Sequence, residues 1–265
     1  MPLIEPMLTG TRDRVQISID RLRNFEPKDG YYLAFSGGKD SVTILRLAQM
    51  AGVKFDAHYN ITTVDPPELV RFIKTQHPDV GRHRPELSIF QAMCLPRHFI
   101  PPLRQLRWCC ELLKERGGEG RFVLTGIRWA ESNRRSGRKM VEQCMTFHKR
   151  MLHPIIDWSD ADVWQFIHQE NVPYCSLYDE GFDRLGCILC PNEANPNRLQ
   201  AQMDRWPQFV KAYVNTFDKL VRLRKEAGLR CTWENGQEMF DWWIDRKRRK
   251  RPPDEQMTFD EDLTK

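Results

Sequence analysis

Residues 36–41 read Ser-Gly-Gly-Lys-Asp-Ser, directly after the apolar run Tyr31-Tyr32-Leu33-Ala34-Phe35. That run has the length and texture of a strand buried in a parallel sheet. The amphipathic stretch from Asp40 to Met50 predicts a helix. A strand, a glycine turn and a helix N-terminus in succession constrain the chain to an α/β layout and make an anion site. Gly37 and Gly38 let backbone N–H groups approach phosphate oxygens, and the helix end adds partial positive charge. Ser36, Lys39 and Ser41 add donors, and Asp40 is placed to hold a magnesium ion. The Gly-x-x-x-x-Gly-Lys-Ser/Thr spacing of a Walker loop is absent.

The 265 residues suffice for a full core, with one main domain and an appended subdomain. Charged residues make up 29% and hydrophobic residues 40%, as in globular proteins that live in water. No apolar run approaches the roughly 18 residues of a membrane span. Met1 to Arg14 carries no signal-peptide core, so the expected location is cytoplasmic, with no membrane partner. The net charge of +5 suits a phosphate-rich partner without specifying one.

Strand and helix patterns alternate along residues 1–195. A helix is expected over Asp13 to Phe25, with strands at Lys54 to Asn60, Phe122 to Thr125 and Met151 to Ile156. Asp65-Pro66-Pro67-Glu68 reads as a helix start, with Asp65 as N-cap, Pro66 at the first helical position and Glu68 closing a capping box. Ser159-x-x-Asp162 caps a further helix carrying Val163, Phe166 and Ile167. This alternation predicts a doubly wound, mostly parallel α/β sheet, with its ligand beyond the carboxyl ends of the strands. Residues 196–265 turn helical. Phe209, Val210, Tyr213, Val214, Phe217 and Leu220 recur at helical spacing behind Pro207, and a last helix holds Met239, Phe240, Trp243 and Ile244. It runs into the basic residues Arg246 to Arg251, then Pro252-Pro253 and an acidic tail.

Eight cysteines in a reducing compartment are not a disulfide framework; metal ligation or redox chemistry is the better default. Cys109-Cys110 and Cys187-x-x-Cys190 form two pairs, and four thiolates of this kind ligate zinc or an iron–sulfur cluster. Adjacent cysteines turn both sulfurs onto one ion awkwardly, which favours a cubane with separated irons. Four buried structural cysteines are the bland alternative. Cys175 is the substitute ligand if one of the adjacent pair is free.

The Ser36–Ser41 turn resembles the PP-loop of ATP pyrophosphatases, which cut ATP between the α and β phosphates. The sequence over about residues 28–195 is similar to the PAPS/APS reductase family. Arg107-Trp108-Cys109-Cys110 with Lys114 matches its cluster-binding members. Thr125-Gly126-Ile127-Arg128, with Glu131-Ser132 and Arg134, looks like the family's second phosphate-binding segment. Pro173 to Phe182 resembles its Pro-x-x-x-Leu-Tyr-Asp-x-Gly-Phe signature, which runs into Cys187-x-x-Cys190. The resemblance implies an adenine-nucleotide α-hydrolase-like fold and a 4Fe-4S cluster on Cys109, Cys110, Cys187 and Cys190.

The sequence departs from true reductases in having no Glu-Cys-Gly-x-His motif; after Cys190 it has one cysteine, Cys231. The resemblance is therefore to the DNA-phosphorothioation branch. It implies an ATP-dependent, AMP-forming sulfurtransferase that adenylates its acceptor. Lys39, Asp40 and Arg128 would be catalytic. Ser36, Gly37, Gly38, Lys39, Asp40, Ser41, Gly126, Arg128 and Arg134 would bind ATP and Mg2+. A cysteine desulfurase or similar donor would supply sulfur, DNA would be the acceptor, and a homodimer is compatible with this reading. The alternatives are a PAPS/APS reductase, a tRNA-thiolating enzyme and a non-catalytic nucleotide-binding subunit.

Overall fold

The computed structural model describes residues 3–7 and 10–245. The strands are β1 (Ile4–Met7), β2 (Gly10–Asp13), β3 (Tyr31–Ala34), β4 (Phe55–Asn60), β5 (Gly81–His83), β6 (Phe122–Leu124), β7 (Val141–Cys144) and β8 (Lys149–Leu152). The helices are α1 (Arg14–Asn24), α2 (Lys39–Ala51), α3 (Pro67–Gln76), α4 (Ile89–Met93), α5 (Trp108–Cys110), α6 (Asn133–Ser136), α7 (Asp160–Gln169), α8 (Pro196–Arg205), α9 (Pro207–Glu226) and α10 (Gly236–Ile244).

The chain divides into two compact units. The first runs to Ile61 and includes Asp65–Arg84 and Leu112–Gly186. It holds a six-stranded sheet in the order β5-β4-β3-β6-β8-β7. All neighbours pair in parallel except β7, which is antiparallel to β8. The expected doubly wound, mostly parallel α/β sheet is thus present. Tyr31 and Leu33 of β3 are fully buried, and the Tyr31 hydroxyl donates to Leu22 O at 2.9 Å, tying the strand to α1. From β3 the chain continues to β4 and β5 on one side, and from β6, the other neighbour of β3, it continues to β7 and β8 on the other. In sheets of this kind the ligand site lies where the connections of neighbouring strands run to opposite sides, and β3 and β6 are such a pair.

Caps follow the local sequence. Asp13 accepts from Val15 N and Gln16 N to start α1. Ser159 and Asp162 form the expected capping box of α7. The start of α3 differs from expectation: Pro66 is the N-cap, extended at φ −55° and ψ 132°, and no side chain caps the helix. A residue before proline is pushed out of the helical region, so Pro67 forces Pro66 to stay outside. The strand expected at 151–156 is also displaced, to Lys149–Leu152, and residues 154–157 form a turn. Pro154 has no N–H for the ladder, so the strand does not continue through it.

The second unit comprises Thr62–Val64, Pro85–Glu111 and the chain from Cys187. Its core is the α9 stripe of Tyr213, Phe217, Leu220 and Val221, packed on Met239, Phe240 and Trp243 of α10. Pro207 is in the first turn of α9, as its fixed φ suits. Trp243 donates its indole N–H to Pro102 O at 2.8 Å, and Phe90 of α4 meets Tyr213 edge-on at 5.1 Å. The basic run Arg246 to Arg251 and the acidic tail lie outside the described residues.

Candidate functional site

The loop after β3 is shaped by its glycines. Gly37 has φ +72°, and a Cβ there would lie 2.7 Å from Leu69 Cδ1 and 2.8 Å from Ile73 of α3. Only glycine meets both the left-handed conformation and the close packing. Gly38 is the N-cap of α2 and offers no side chain. The Lys39 amide is capped from elsewhere: it donates to the Tyr178 hydroxyl oxygen at 2.8 Å. Ser41 donates its hydroxyl to Gly38 O at 2.8 Å, and Ser36 Oγ lies 3.3 Å from Ser41 Oγ.

Two buried cations flank this turn. Lys39 is 6% exposed; its Nζ donates to Asp183 O at 3.0 Å and lies 3.3 Å from Asp160 Oδ1. Arg128, 2% exposed, follows β6. Its Nε donates to Asp40 Oδ1 at 2.7 Å, Nη2 to Asp160 Oδ1 at 2.9 Å and Nη1 to Trp158 O at 3.3 Å. Lys39 and Arg128 therefore share one oxygen of Asp160, whose side chain is 60% exposed. Gly126 makes this convergence possible, since a Cβ there would lie 2.7 Å from Asp40 Cβ and 3.1 Å from Asp40 C.

Burial pushes the Asp40 carboxyl above its ordinary value, against the opposing pull of Arg128 and Lys39. Burial pulls Arg128 down, but Asp40 and Asp160 outweigh it and hold the guanidinium charged. Burial also raises the Tyr178 phenol, so its hydroxyl stays protonated. Lys39 and Arg128 face Asp40 and Asp160, and Glu131, which accepts from Arg128 N and pairs with Arg135, also bears on Asp40 and Arg128, so the site as it stands is close to neutral. A polyphosphate entering it needs further positive charge.

Of the residues expected from sequence, Ser36, Gly37, Gly38, Lys39, Asp40, Ser41, Gly126 and Arg128 come together at the carboxyl ends of β3 and β6. Arg134 does not join them. It is exposed on α6, while its neighbours Arg135 and Arg138 pair with Glu131 and Glu142. Sequence reasoning missed the roles of Tyr178 and Asp160. Tyr178 stood inside a recognised signature, and Asp160 inside a recognised capping motif, but neither pattern says what the side chain reaches.

All four paired cysteines fall in the second unit. Cys109 and Cys110 end α5, and Cys187 and Cys190 bracket a turn closed by Cys190 N donating to Cys187 O at 3.2 Å. Leu189 N donates to Gln202 Oε1 at 2.7 Å and Ile188 N to Val64 O at 2.8 Å, which pins this turn. The Cys109 thiol is pushed far up by its bond to Cys110, by burial and by Cys110, Cys187 and Cys190. The four thiols thus lie in one electrostatic neighbourhood, and none is in a disulfide. Among the described residues no group of three or more His, Cys, Asp or Glu side chains is arranged to hold a metal ion. Four cysteines are a donor set of the kind that would hold a 4Fe-4S cluster. Cys175 belongs to the first unit, where burial raises its thiol.

Residues 30–193 match the family model of the phosphoadenosine phosphosulfate reductase domain. The chain belongs to this family. An adenosine 5'-phosphosulfate reductase of Shouchella clausii is 30% identical over 220 residues, covering 76% of this chain and 87% of the relative. An uncharacterised protein of Methanocaldococcus jannaschii is 28% identical over 207 residues, covering 68% of this chain and 41% of the relative. The chain spans about half the length or less of the two archaeal relatives it matches, 41% and 49%. The crystal structure of a phosphoadenylyl-sulfate reductase from Candida auris, in a phosphate complex, superposes with a TM-score of 0.50 at 19% identity. It covers 64% of this chain and 87% of that one, and it shows a shared fold. The chain is thus a PAPS reductase-like nucleotide-binding protein of an enzyme family. Among the described residues no helix is long and apolar enough to cross a membrane.

Proposed function

We propose that this chain is an ATP-dependent, AMP-forming sulfurtransferase with a 4Fe-4S cluster, and that its acceptor is a DNA backbone phosphate. The observation that carries the nucleotide step is the meeting of Lys39 and Arg128 on one carboxylate oxygen of the exposed Asp160 side chain at the glycine loop. That oxygen occupies the position of an anion's oxygen. A nucleotide phosphate replaces it and takes up both cations, while Gly37 and Gly38 leave the backbone open to the β and γ phosphates. Asp40 would hold Mg2+, which adds positive charge on the phosphates. Cys109, Cys110, Cys187 and Cys190 would hold the cluster, whose chemistry is electron or sulfur handling.

The chemistry balances in two steps. An acceptor oxygen attacks the α-phosphorus, and pyrophosphate leaves with the electron pair of the α–β bridging bond. Sulfur at the oxidation level of sulfide then forms a bond to the adenylated phosphorus, and AMP leaves with the bridging oxygen. A persulfide-bearing cysteine desulfurase supplies such sulfur together with a two-electron thiol reductant. Lys39 and Arg128 stabilise the charge that develops in the first step.

The test combines anaerobically purified protein with ATP, DNA and a sulfur donor. Matched AMP and pyrophosphate, with phosphorothioate-linked dinucleotides in the nuclease digest, support the reading. ADP and orthophosphate, or sulfur found only in tRNA bases, overturn it. The family match and the adenosine 5'-phosphosulfate reductase relatives favour a second reading, reduction of a sulfonucleotide. Sulfite release from APS or PAPS with thioredoxin, abolished by Cys231→Ser, would establish that reading instead.

A further inference from the structure

Asp56 and His58 are two residues apart on β4 and therefore project from the same face of the sheet. His83 lies on the neighbouring edge strand, β5. The Asp56 carboxylate is gripped by the fork of Arg121: Nη1 donates to Oδ2 at 2.6 Å and Nη2 to Oδ1 at 2.5 Å. Asp56 Oδ2 also contacts His58 Nε2. An ionised carboxylate only accepts, so neutral His58 carries its proton on Nε2 and presents a bare lone pair at Nδ1. Nε2 of His83 lies 2.7 Å from that lone pair.

The His58 ring is held in plane by Tyr32, stacked on it at 4.3 Å and 8°. The space beside the two nitrogens is kept by a glycine. A Cβ on Gly81 would lie 3.1 Å from His58 Nδ1 and 3.5 Å from His83 Nε2. A carboxylate that fixes the tautomer and orientation of a histidine, leaving the far nitrogen free, is the arrangement that supports a metal-bound imidazole.

We propose that His58 Nδ1 and His83 Nε2 form a binding site for a divalent transition metal, Zn2+ first among them, separate from the cysteines and the nucleotide loop. In the metal-free protein the two nitrogens share the Nε2 proton of His83. On binding, that proton moves to His83 Nδ1 through solvent, and both lone pairs face the ion with no net change in protonation. Zn–N bonds of about 2.0–2.1 Å in tetrahedral geometry ask the nitrogens to part to roughly 3.3 Å. His83 is exposed and makes that movement by rotation of its side chain. Among the described residues no third ligand joins them, so water completes the shell and the site is of moderate strength. Imidazole ligands select Zn2+, Co2+, Ni2+ or Cu2+ over Mg2+ and Ca2+.

The test uses the full chain, stripped of metal and kept reduced, with Zn2+ added alone. Thiols also take zinc, so the readout is the ring NMR signals of His58 and His83, assigned by their loss in single variants. Both signals should move together and saturate, and Mg2+ should move neither. His83→Ala, a change at an exposed side chain, should weaken the shift of His58 at least tenfold. Asp56→Asn should weaken binding about ten- to a hundredfold. Zinc that leaves both signals in place, or a His58 response unchanged in His83→Ala, overturns the proposal. Neither result bears on the nucleotide loop.

Discussion

Arg128 donates from Nε to Asp40 Oδ1 at 2.7 Å, joining the residue that follows one parallel strand to the helix that follows its neighbour. The bond spans the point where the chain leaves β3 and β6 toward opposite sides. The same guanidinium reaches Asp160 and Trp158 O. Lysine cannot reproduce this fork, having one nitrogen for three acceptors. Arg128→Lys should therefore fold yet bind ATP at least tenfold more weakly. Arg128→Met removes a buried charge from its partners and should cost about 3 kcal/mol. Denaturant midpoints and equilibrium nucleotide binding check both statements.

Gly126 tests the same convergence from the backbone side. A Cβ there meets Asp40 Cβ at 2.7 Å and its backbone at 3.1 and 3.2 Å, and backbone cannot swing away. Gly126→Ala should cost roughly 1–3 kcal/mol and weaken nucleotide binding by moving the start of α2. Gly137→Ala is the control. Nothing lies within 4 Å of a Cβ at that position, and its φ of −86° suits any residue. Thermal unfolding of the two variants should separate clearly.

Much of this site is legible in the chain because its parts are local. The run Tyr31 to Ser41 specifies a strand, a left-handed glycine and a helix start within eleven residues, and all three form. What the sequence hides is long-range. Tyr178 reaches an amide 139 positions away, and no periodicity encodes that contact. The short strands β5 and β7 carry Gly81, Arg82, Glu142 and Gln143, whose polarity reads as loop. They are strands because a sheet edge accepts polar residues. At the α3 start two adjacent prolines compete for one helical position, and the second takes it, which the residue types alone do not decide.

Tyr178→Phe separates anion binding from capping. The lost hydroxyl leaves the Lys39 N–H without its protein acceptor, which should cost about 1 kcal/mol in the free protein. A bound pyrophosphate supplies an oxygen to that same amide. The stability gap between wild type and Tyr178→Phe should therefore shrink as pyrophosphate is raised, and a gap that stays constant would show that the anion does not reach Lys39 N. Differential scanning fluorimetry across a pyrophosphate series reads this directly.

His153 governs an acid-side loss of stability. It is fully buried, with Nδ1 2.6 Å from Thr125 Oγ1, and burial holds its pKa below the ordinary histidine value of about 6.5 despite Glu142. The unfolded chain therefore takes up the proton first. The contribution of neutral His153 is fully present above the unfolded value and is lost as pH falls below it. Melting temperature should drop between pH 7 and pH 5. His153→Asn, which does not titrate, should lower the whole curve but flatten that drop.

The last prediction concerns the thiols. A bond to Cys110 and burial suppress ionisation of the Cys109 thiol, with Cys110, Cys187 and Cys190 adding to it, and bound cationic iron would offset that. Protein purified without oxygen should be brown and carry about four irons per chain. Cys187→Ser should lose most of that iron, while Cys231→Ser, whose sulfur reaches only backbone carbonyls, should keep it. Cys175→Ser, a change in the first unit, should keep it as well. Colourless protein with one zinc per chain would refute the cluster outright, and iron analysis alongside visible absorption decides between these outcomes.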